Sequence, residues 1–292
     1  LDTQASNLYT TDDYKVEGII QITDSEFKKF AELVYSLFGI NLTDKKKALV
    51  RGRLNKIIKT HGYKSFAEYY DAITSDTSGK SLLELVDKIS TNHSYFFREN
   101  DHFDFLLSAA LPEIAQRAAA ENGRDVKIWC AGCAAGEEAY TLAMILVDFF
   151  GKDYFRRKKL LLATDISLSA LKQAIEGVYT EERVRMVPDK YRKRYIRPTP
   201  EGMYAVTEDL KEIILFKRLN FMDQAFPFKN KFDLIFCRNV MIYFDSETKM
   251  KLVTKFHRYM QDESYLFIGH SETLGRGSGL FQYIQPALYK KI

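Results

Sequence analysis

Four polar positions stand at the ends of short apolar runs. Glu137 follows VKIWCAGCAAG, Asp165 follows KLLLAT, Asn220 follows ILFKRL, and the pair Arg238-Asn239 follows FDLIFC. If these runs are strands of an α/β sheet, the four gather at the strands' carboxyl ends, where such sheets bind ligands. Any one of them alone is an ordinary polar loop residue, but four at corresponding places point to a site. Asp165 is placed to accept hydrogen bonds from ribose hydroxyls. A further cluster, Thr91-Asn92-His93-Ser94-Tyr95-Phe96-Phe97-Arg98-Glu99, precedes the first run. Its paired aromatics read as core beside a polar cap, yet Arg98 could hold an anion by bidentate contact.

The turn after the first run narrows the ligand. A dinucleotide fold uses G-x-G-x-x-G, so that bare amides face a pyrophosphate. Here only Gly132 and Gly136 are present, and Glu137 and Glu138 follow at once. Two carboxylates suit the positive end of a helix but would repel a diphosphate. They fit a ligand with a cationic or hydroxyl-rich end, such as the amino-acid tail and ribose of S-adenosylmethionine. Other chemistries find less support. Cys130 and Cys133 form a C-x-x-C, but a cysteine ending a buried strand reads as packing, and thioredoxin folds lack so long a succession of strands and helices. The histidines lack neighbours at ligand spacing, so no metal is expected. Ser271 in GHSE is outside any G-x-S-x-G nucleophile elbow.

The elements that would carry these residues follow from periodicity. Residues 1–22 are polar without a clear period and read as a flexible arm. Thr23-Asp24-Ser25-Glu26 is a capping box, and the apolar spacing after it predicts a helix ended by Gly39. Further helices are predicted over 43–60, 66–73 and 81–89, which makes 23–90 a helical domain. The second of these is studded with Lys45, Lys46, Lys47, Arg51, Arg53, Lys56 and Lys59. That is either a solvated face or an electrostatic dock for an acidic partner. A helix over 103–120 should bend near Pro112. Strands then follow at 126–130, 159–164, 232–237 and 264–268, with 281–284 and 287–289 closing the sheet. Helices lie between them, at 137–150, 170–176 (capped by Ser167 or Ser169) and 246–260. Residues 203–206 and 213–216 flank a turn and are expected to pair as a hairpin. Strands alternating with helices imply a mostly parallel, doubly wound sheet.

Composition sets wide bounds. The chain of 292 residues is 46% hydrophobic, enough for a normal core in one large domain or two smaller ones. Its formal net charge of +4 is too mild to demand nucleic acid, and no helix-turn-helix signal is present. No uncharged apolar run approaches the roughly 18 residues needed to span a bilayer, and no signal peptide is visible. The three cysteines suggest a reducing compartment, hence a cytoplasmic protein.

Six blocks carry a resemblance to a known family. They are STNHSYFFREN (90–100), IWCAGCAAGEEAY (128–140), LLATDIS (161–167), FKRLNF (216–221), FDLIFCRNVMIYF (232–244) and GHSETL (269–274). In these the chain resembles the CheR family, S-adenosylmethionine-dependent methyltransferases that esterify glutamates of bacterial chemoreceptors. The Phe-Phe-Arg and C-R-N-V-x-I-Y-F blocks are the most specific. The resemblance implies a Rossmann-like class I methyltransferase sheet over 91–292, with a small inserted β subdomain at about 180–212, behind the N-terminal all-helical domain. It implies cofactor contacts at Asn92, Ser94, Arg98, Glu137, Asp165, Asn220, Phe221, Arg238 and Asn239, with Arg98 and Tyr243 nearest the transferred methyl and S-adenosylhomocysteine as product. It also implies a chemoreceptor cytoplasmic domain as partner. We expect a monomer, recruited to membrane receptor arrays but not inserted in the membrane. Ser94 stands where the family usually has Thr, and Ala139 where it usually has Pro; neither removes a functional group. The alternatives are a module that binds the cofactor without turnover, and a methyltransferase for nucleic acid or another acidic substrate.

Overall fold

The computed structural model describes residues 19–155, 161–275 and 279–292. Most of the expected arm, 1–18, lies outside the described residues. Its last residues are docked: Ile22 is buried, and Ile20 exchanges two 2.9 Å hydrogen bonds with Asn55.

Four helices come first: α1 (Asp24–Phe38), α2 (Lys47–His61), α3 (Phe66–Ser75) and α4 (Lys80–Ile89). The capping box forms as expected. Thr23 accepts from the Glu26 amide, Glu26 accepts from the Thr23 amide, and Gly39 closes the helix in the left-handed conformation. Two orphan donors are thereby satisfied at one end. Phe30, Val34, Leu54, Ile58, Phe66 and Leu85 fill the core between the helices.

A linking helix follows in three pieces: α5 (Asp101–Phe105), a π-helical turn (Leu106–Ala110) and α6 (Leu111–Ala120). The distortion lies immediately before Pro112. Proline has no N–H and its ring would press on the carbonyl four residues back, so the helix widens by one residue there.

The remaining chain forms two sheets. Their elements are β1 (Ile128–Ala131), α7 (Glu137–Phe150), α8 (Lys152–Phe155), β2 (Leu161–Asp165), α9 (Leu168–Glu176), β3 (Val178–Tyr179), α10 (Glu181–Val184), α11 (Asp189–Tyr195), β4 (Ile196–Pro198), β5 (Tyr204–Val206), α12 (Glu208–Lys211), β6 (Ile214–Arg218), β7 (Phe232–Cys237), α13 (Ser246–Arg258), β8 (Met260–Ile268), β9 (Phe281–Gln285) and β10 (Leu288–Lys291). The large sheet has the order β6-β2-β1-β7-β8-β10-β9. Its first five strands are parallel, and β10 and β9 are antiparallel at one edge. The chain runs outward from β1 to β2 and β6, then returns to β7 on the other side of β1. That reversal opens a crevice at the strand ends. All six residues of β7 are buried, as a strand covered on both faces must be. Among the described residues no helix is long and apolar enough to cross a membrane.

One expectation is overturned. The segments at 203–206 and 213–216 do not pair. β5 lies between β3 and β4 in a separate three-stranded antiparallel sheet, whereas β6 pairs in parallel with β2. Short α12 between them carries the chain from one sheet to the other. The small sheet begins at Val178. It is anchored by tyrosines: Tyr179, Tyr191 and Tyr195 are buried against the main core. With this insert on its outer side, α7 is buried nearly all round.

Candidate functional site

A cleft of about 930 Å³ of open space lies at the carboxyl ends of β1, β2, β6 and β7. Its walls come from three places. One is the set of strand-end loops. Another is the 89–98 segment, which carries Asn92, Ser94 and Arg98. The third is the helical domain, through Phe38 and Ile40. The last wall was invisible in the sequence, because nothing local says that the end of α1 faces the sheet. Its attachment is explicit in the structure: Asn220 Nδ2 donates to the Leu37 carbonyl at 2.8 Å, and the Asn41 amide donates to the Tyr243 carbonyl at 2.8 Å.

The turn after β1 approaches the loop after β7 closely. Gly132 has φ +87°, and a Cβ there would stand 2.4 Å from Val240 Cγ2. Only glycine meets both demands. The Gly132 and Cys133 amides donate to the Thr164 carbonyl, which ties the turn to the end of β2. Asp165 follows. It is 7% exposed and lines the cleft. Its carboxylate accepts from the Ala134 amide at 2.8 Å and the Ser167 amide at 2.9 Å, one lone pair on each oxygen. An acceptor so placed on the cleft wall suits a diol.

The two glutamates divide. Glu138 lines the cleft and accepts from Arg238 Nη1 at 2.8 Å. Glu137 does not line it. Its side chain is fully buried on the other side of α7 and is paired with Arg183 of α10. Successive helical residues point about 100° apart; of the two, the expected Glu137 lies outside the cleft lining and its neighbour Glu138 lines it. Nothing in one sequence separates two adjacent glutamates.

Arg238 is 4% exposed and spans the cleft floor. Besides Glu138 it binds Glu99 through Nη2 at 3.0 Å and donates to the Arg98 carbonyl. Glu99 stands beside Arg98, and nothing in the sequence marks it as the partner of an arginine 139 residues later. A buried cation with two carboxylates has its desolvation offset by charge-assisted hydrogen bonds. Burial alone would raise the Glu99 carboxyl, but Arg238 and its neighbours hold it below its ordinary value. Glu138 and Asp165 go the other way. Burial raises both, against the opposing pull of Arg238 on Glu138 and of backbone amides on Asp165. Two carboxyls pushed up beside a cleft are suited to a cationic or hydroxyl-bearing ligand, whose approach would stabilise their ionised forms.

The other expected positions also line the cleft: Asn92, Ser94, Arg98, Asn220, Phe221, Asn239 and Tyr243. Arg98 lies over the Tyr95 ring at 5.5 Å. Phe221 packs edge-on against Trp129, whose indole N–H is fixed by Thr164 Oγ1 at 2.9 Å. Tyr243 carries Lys46 over its ring at 5.4 Å. Of ten sequence-named residues, Glu137 alone faces elsewhere.

Two other chemistries can be weighed. Cys130, Cys133 and Cys237 are buried free thiols pushed well above their ordinary range, first by burial, the opposite of a reactive cysteine. Among the described residues, Glu99, His102 and His270 bring three potential ligand atoms within 4.8 Å of one another. Glu99 is already bound to Arg238, so a cation there would face a guanidinium.

Two family models match most of the chain. One described as "CheR methyltransferase, SAM binding domain" matches residues 92–289, and one described as "CheR methyltransferase, all-alpha domain" matches residues 25–90. The chain belongs to the CheR methyltransferase family. The "Chemotaxis protein methyltransferase" of Borreliella burgdorferi is 47% identical over 93% of this chain and 96% of its own. A "Probable chemotaxis protein methyltransferase" of Rhizobium etli is 36% identical over 88% and 96%. The Escherichia coli "Chemotaxis protein methyltransferase" is 31% identical over 87% and 86%. Within this family the chain is an S-adenosylmethionine-dependent chemotaxis methyltransferase. The cleft fits that cofactor: raised carboxyls at Glu138 and Asp165 suit its ammonium and ribose. At Ala139 the departure from proline leaves the helix start intact, because the first intrahelical bond of α7 runs from the Tyr140 amide to Gly136 and residue 139 has no helical partner to lose.

Proposed function

We propose that this protein transfers a methyl group from S-adenosylmethionine to glutamate side chains in the cytoplasmic domain of chemoreceptors, forming methyl esters. The observation that carries the reading is the cleft itself: the buried Asp165 carboxyl, the half-buried Glu138 carboxyl and a buried arginine at the strand ends, with Arg98 and Tyr243 on its walls. Bound S-adenosylmethionine would supply a methyl already activated by its sulfonium. A glutamate has a reference pKa of about 4.3 and is ionised at neutral pH, so its oxygen bonds the methyl carbon as the carbon–sulfur bond breaks, and no general base is required. The protein's task is orientation, for which effective molarities reach roughly 10⁵–10⁸ M. Arg98 orients the incoming carboxylate and Tyr243 borders the methyl. Glu138, Asp165, Asn220 and Asn239 hold the cofactor, with Phe221 and Arg238 shaping its pocket and Asn92 and Ser94 closing it.

The basic helix supports an acidic partner, with fewer free charges than the sequence suggests. Arg53 is turned back onto the Ile89 and Ser90 carbonyls, Arg51 onto Gln21, and Lys47 onto Asp24. Lys45, Lys56 and Lys59 remain exposed and form the docking charge for an acidic receptor face. The test is transfer of a radiolabelled methyl to a receptor cytoplasmic fragment, with release in mild base, since an ester hydrolyses and an N-methyl does not. Arg98→Ala and Tyr243→Phe should each lower turnover with cofactor still bound. If both leave turnover unchanged, these roles are wrong; base-stable label would reject glutamate as acceptor.

A further inference from the structure

The block GHSETL contains no side chain that reaches the cleft, yet its glutamate is committed to the loop that does. Glu272 is 7% exposed and follows β8. Its carboxylate accepts three backbone N–H groups: Gly269 at 2.6 Å, Asn239 at 3.0 Å and Ile242 at 3.0 Å. Two of these donors belong to the loop after β7, which carries Asn239 and Tyr243 into the cleft. That loop has little regular structure to hold it. Asn239 has φ 59°, a conformation non-glycine residues adopt at a cost, and only a single 3-10 turn (Met241–Tyr243) follows. A turn so short leaves most of its amides without an internal partner, and an ionised carboxylate is a strong acceptor for them.

Gly269 completes the arrangement from below. A Cβ there would stand 2.5 Å from Asn239 Nδ2 and 2.8 Å from its amide nitrogen. The residue has no left-handed φ, so it is glycine because the loop lies directly on it. The guanidinium of Arg238, by contrast, is held by Glu138, Glu99 and the Arg98 carbonyl, none of which involves Glu272. Glu99 also accepts from Asn239 Nδ2 at 3.4 Å and from the His270 amide at 3.3 Å, so the floor touches the loop there, but the backbone amides of Asn239 and Ile242 are held by Glu272.

We infer that Glu272 is a positioning residue: through the amides of Asn239 and Ile242 it fixes Tyr243 against the cleft. Its kinetic consequence rests on the methyl-transfer reading above; its structural consequence does not. Glu272→Gln keeps the shape but turns an N–H donor toward N–H donors. In the full-length protein, amide hydrogen exchange at Asn239, Ile242 and Gly269 should speed up at least about tenfold while β7 stays protected. Unchanged exchange there overturns the inference, whatever the protein methylates. In the transfer assay kcat should fall at least about tenfold, as small misplacements near reacting atoms do, while the KM for S-adenosylmethionine, which Asn239 also serves, rises by a smaller factor. Gly269→Ala, which crowds Asn239 while keeping both the Glu272 carboxylate and the residue 269 amide that bonds it, should give the same split. Faster exchange with wild-type kcat overturns the positioning role, as does loss of KM, kcat and stability together. If Glu272→Gln does not fold, Gly269→Ala decides: a fall in kcat larger than the rise in KM supports the inference, and unchanged kcat overturns it.

Discussion

Glu137 and Glu138 are adjacent in sequence and both removed from solvent, yet they serve two regions. Glu138 joins the turn after β1 to Arg238 at the end of β7, on the cleft side of α7. Glu137 joins the same turn to Arg183 in the inserted subdomain, on the far side. Arg183 lies over the Tyr179 ring at 5.2 Å, and the Tyr179 hydroxyl donates to the Ala135 carbonyl at 2.6 Å. The subdomain thus grips the cofactor turn from behind while Arg238 grips it from the front. Of the two carboxylates, the one whose partner borders the cleft is the one that lines it.

Substitutions on the two faces of α7 should have different consequences. Glu138→Ala has the largest expected effect. It leaves Arg238, whose side chain is 1% exposed, short of a partner, and removing one member of a buried pair costs about 3–5 kcal/mol. Denaturant unfolding should show that loss, and calorimetry should show S-adenosylhomocysteine binding at least about a hundredfold weaker. The next effect sharpens the cleft side. His102 lies beside this network, and burial, then Arg238, push its pKa down to about 4. Between about pH 6.5 and 4 the unfolded chain takes up a proton that the fold does not, so stability is whole above that window and falls as pH drops through it. The loss is about 3 kcal/mol at most, and His102→Phe should flatten the slope of stability against pH. Glu137→Gln should cost about 1–3 kcal/mol and leave cofactor affinity within about fivefold. Equal loss of binding in the Glu137 and Glu138 variants would erase the distinction. The smallest effect belongs to Asp87 of α4, which accepts from Ser167 Oγ at 2.6 Å and the Ser169 amide at 3.0 Å, just beyond Asp165. Asp87→Asn should cost about 1 kcal/mol and raise the cofactor KM by a few fold.

The features legible in the sequence were those written locally. The capping box at Thr23, the glycine end at Gly39, the strand–turn–helix around Gly132 and the polar residues at strand ends each need only a few neighbouring residues to be read. What escaped depends on distant chain. The 203–206 segment has the alternation of a strand, but its partners are β3 and β4, and the next strand, β6, finds β2 some fifty residues earlier. Phe38 and Ile40 enter the cleft wall only because the helical domain is attached through Asn220 and Tyr243. The choice between Glu137 and Glu138 turns on which face of α7 the subdomain covers, and no residue near them records it.

In the proposed function the methyl donor lies at the strand ends against the Asp165 carboxylate. Calorimetric titration of S-adenosylhomocysteine into the full-length protein and into Asp165→Asn tests it most directly. One site per chain in the wild type, weakened at least about tenfold in the variant, is the predicted result. Binding of equal strength in the two proteins would contradict it.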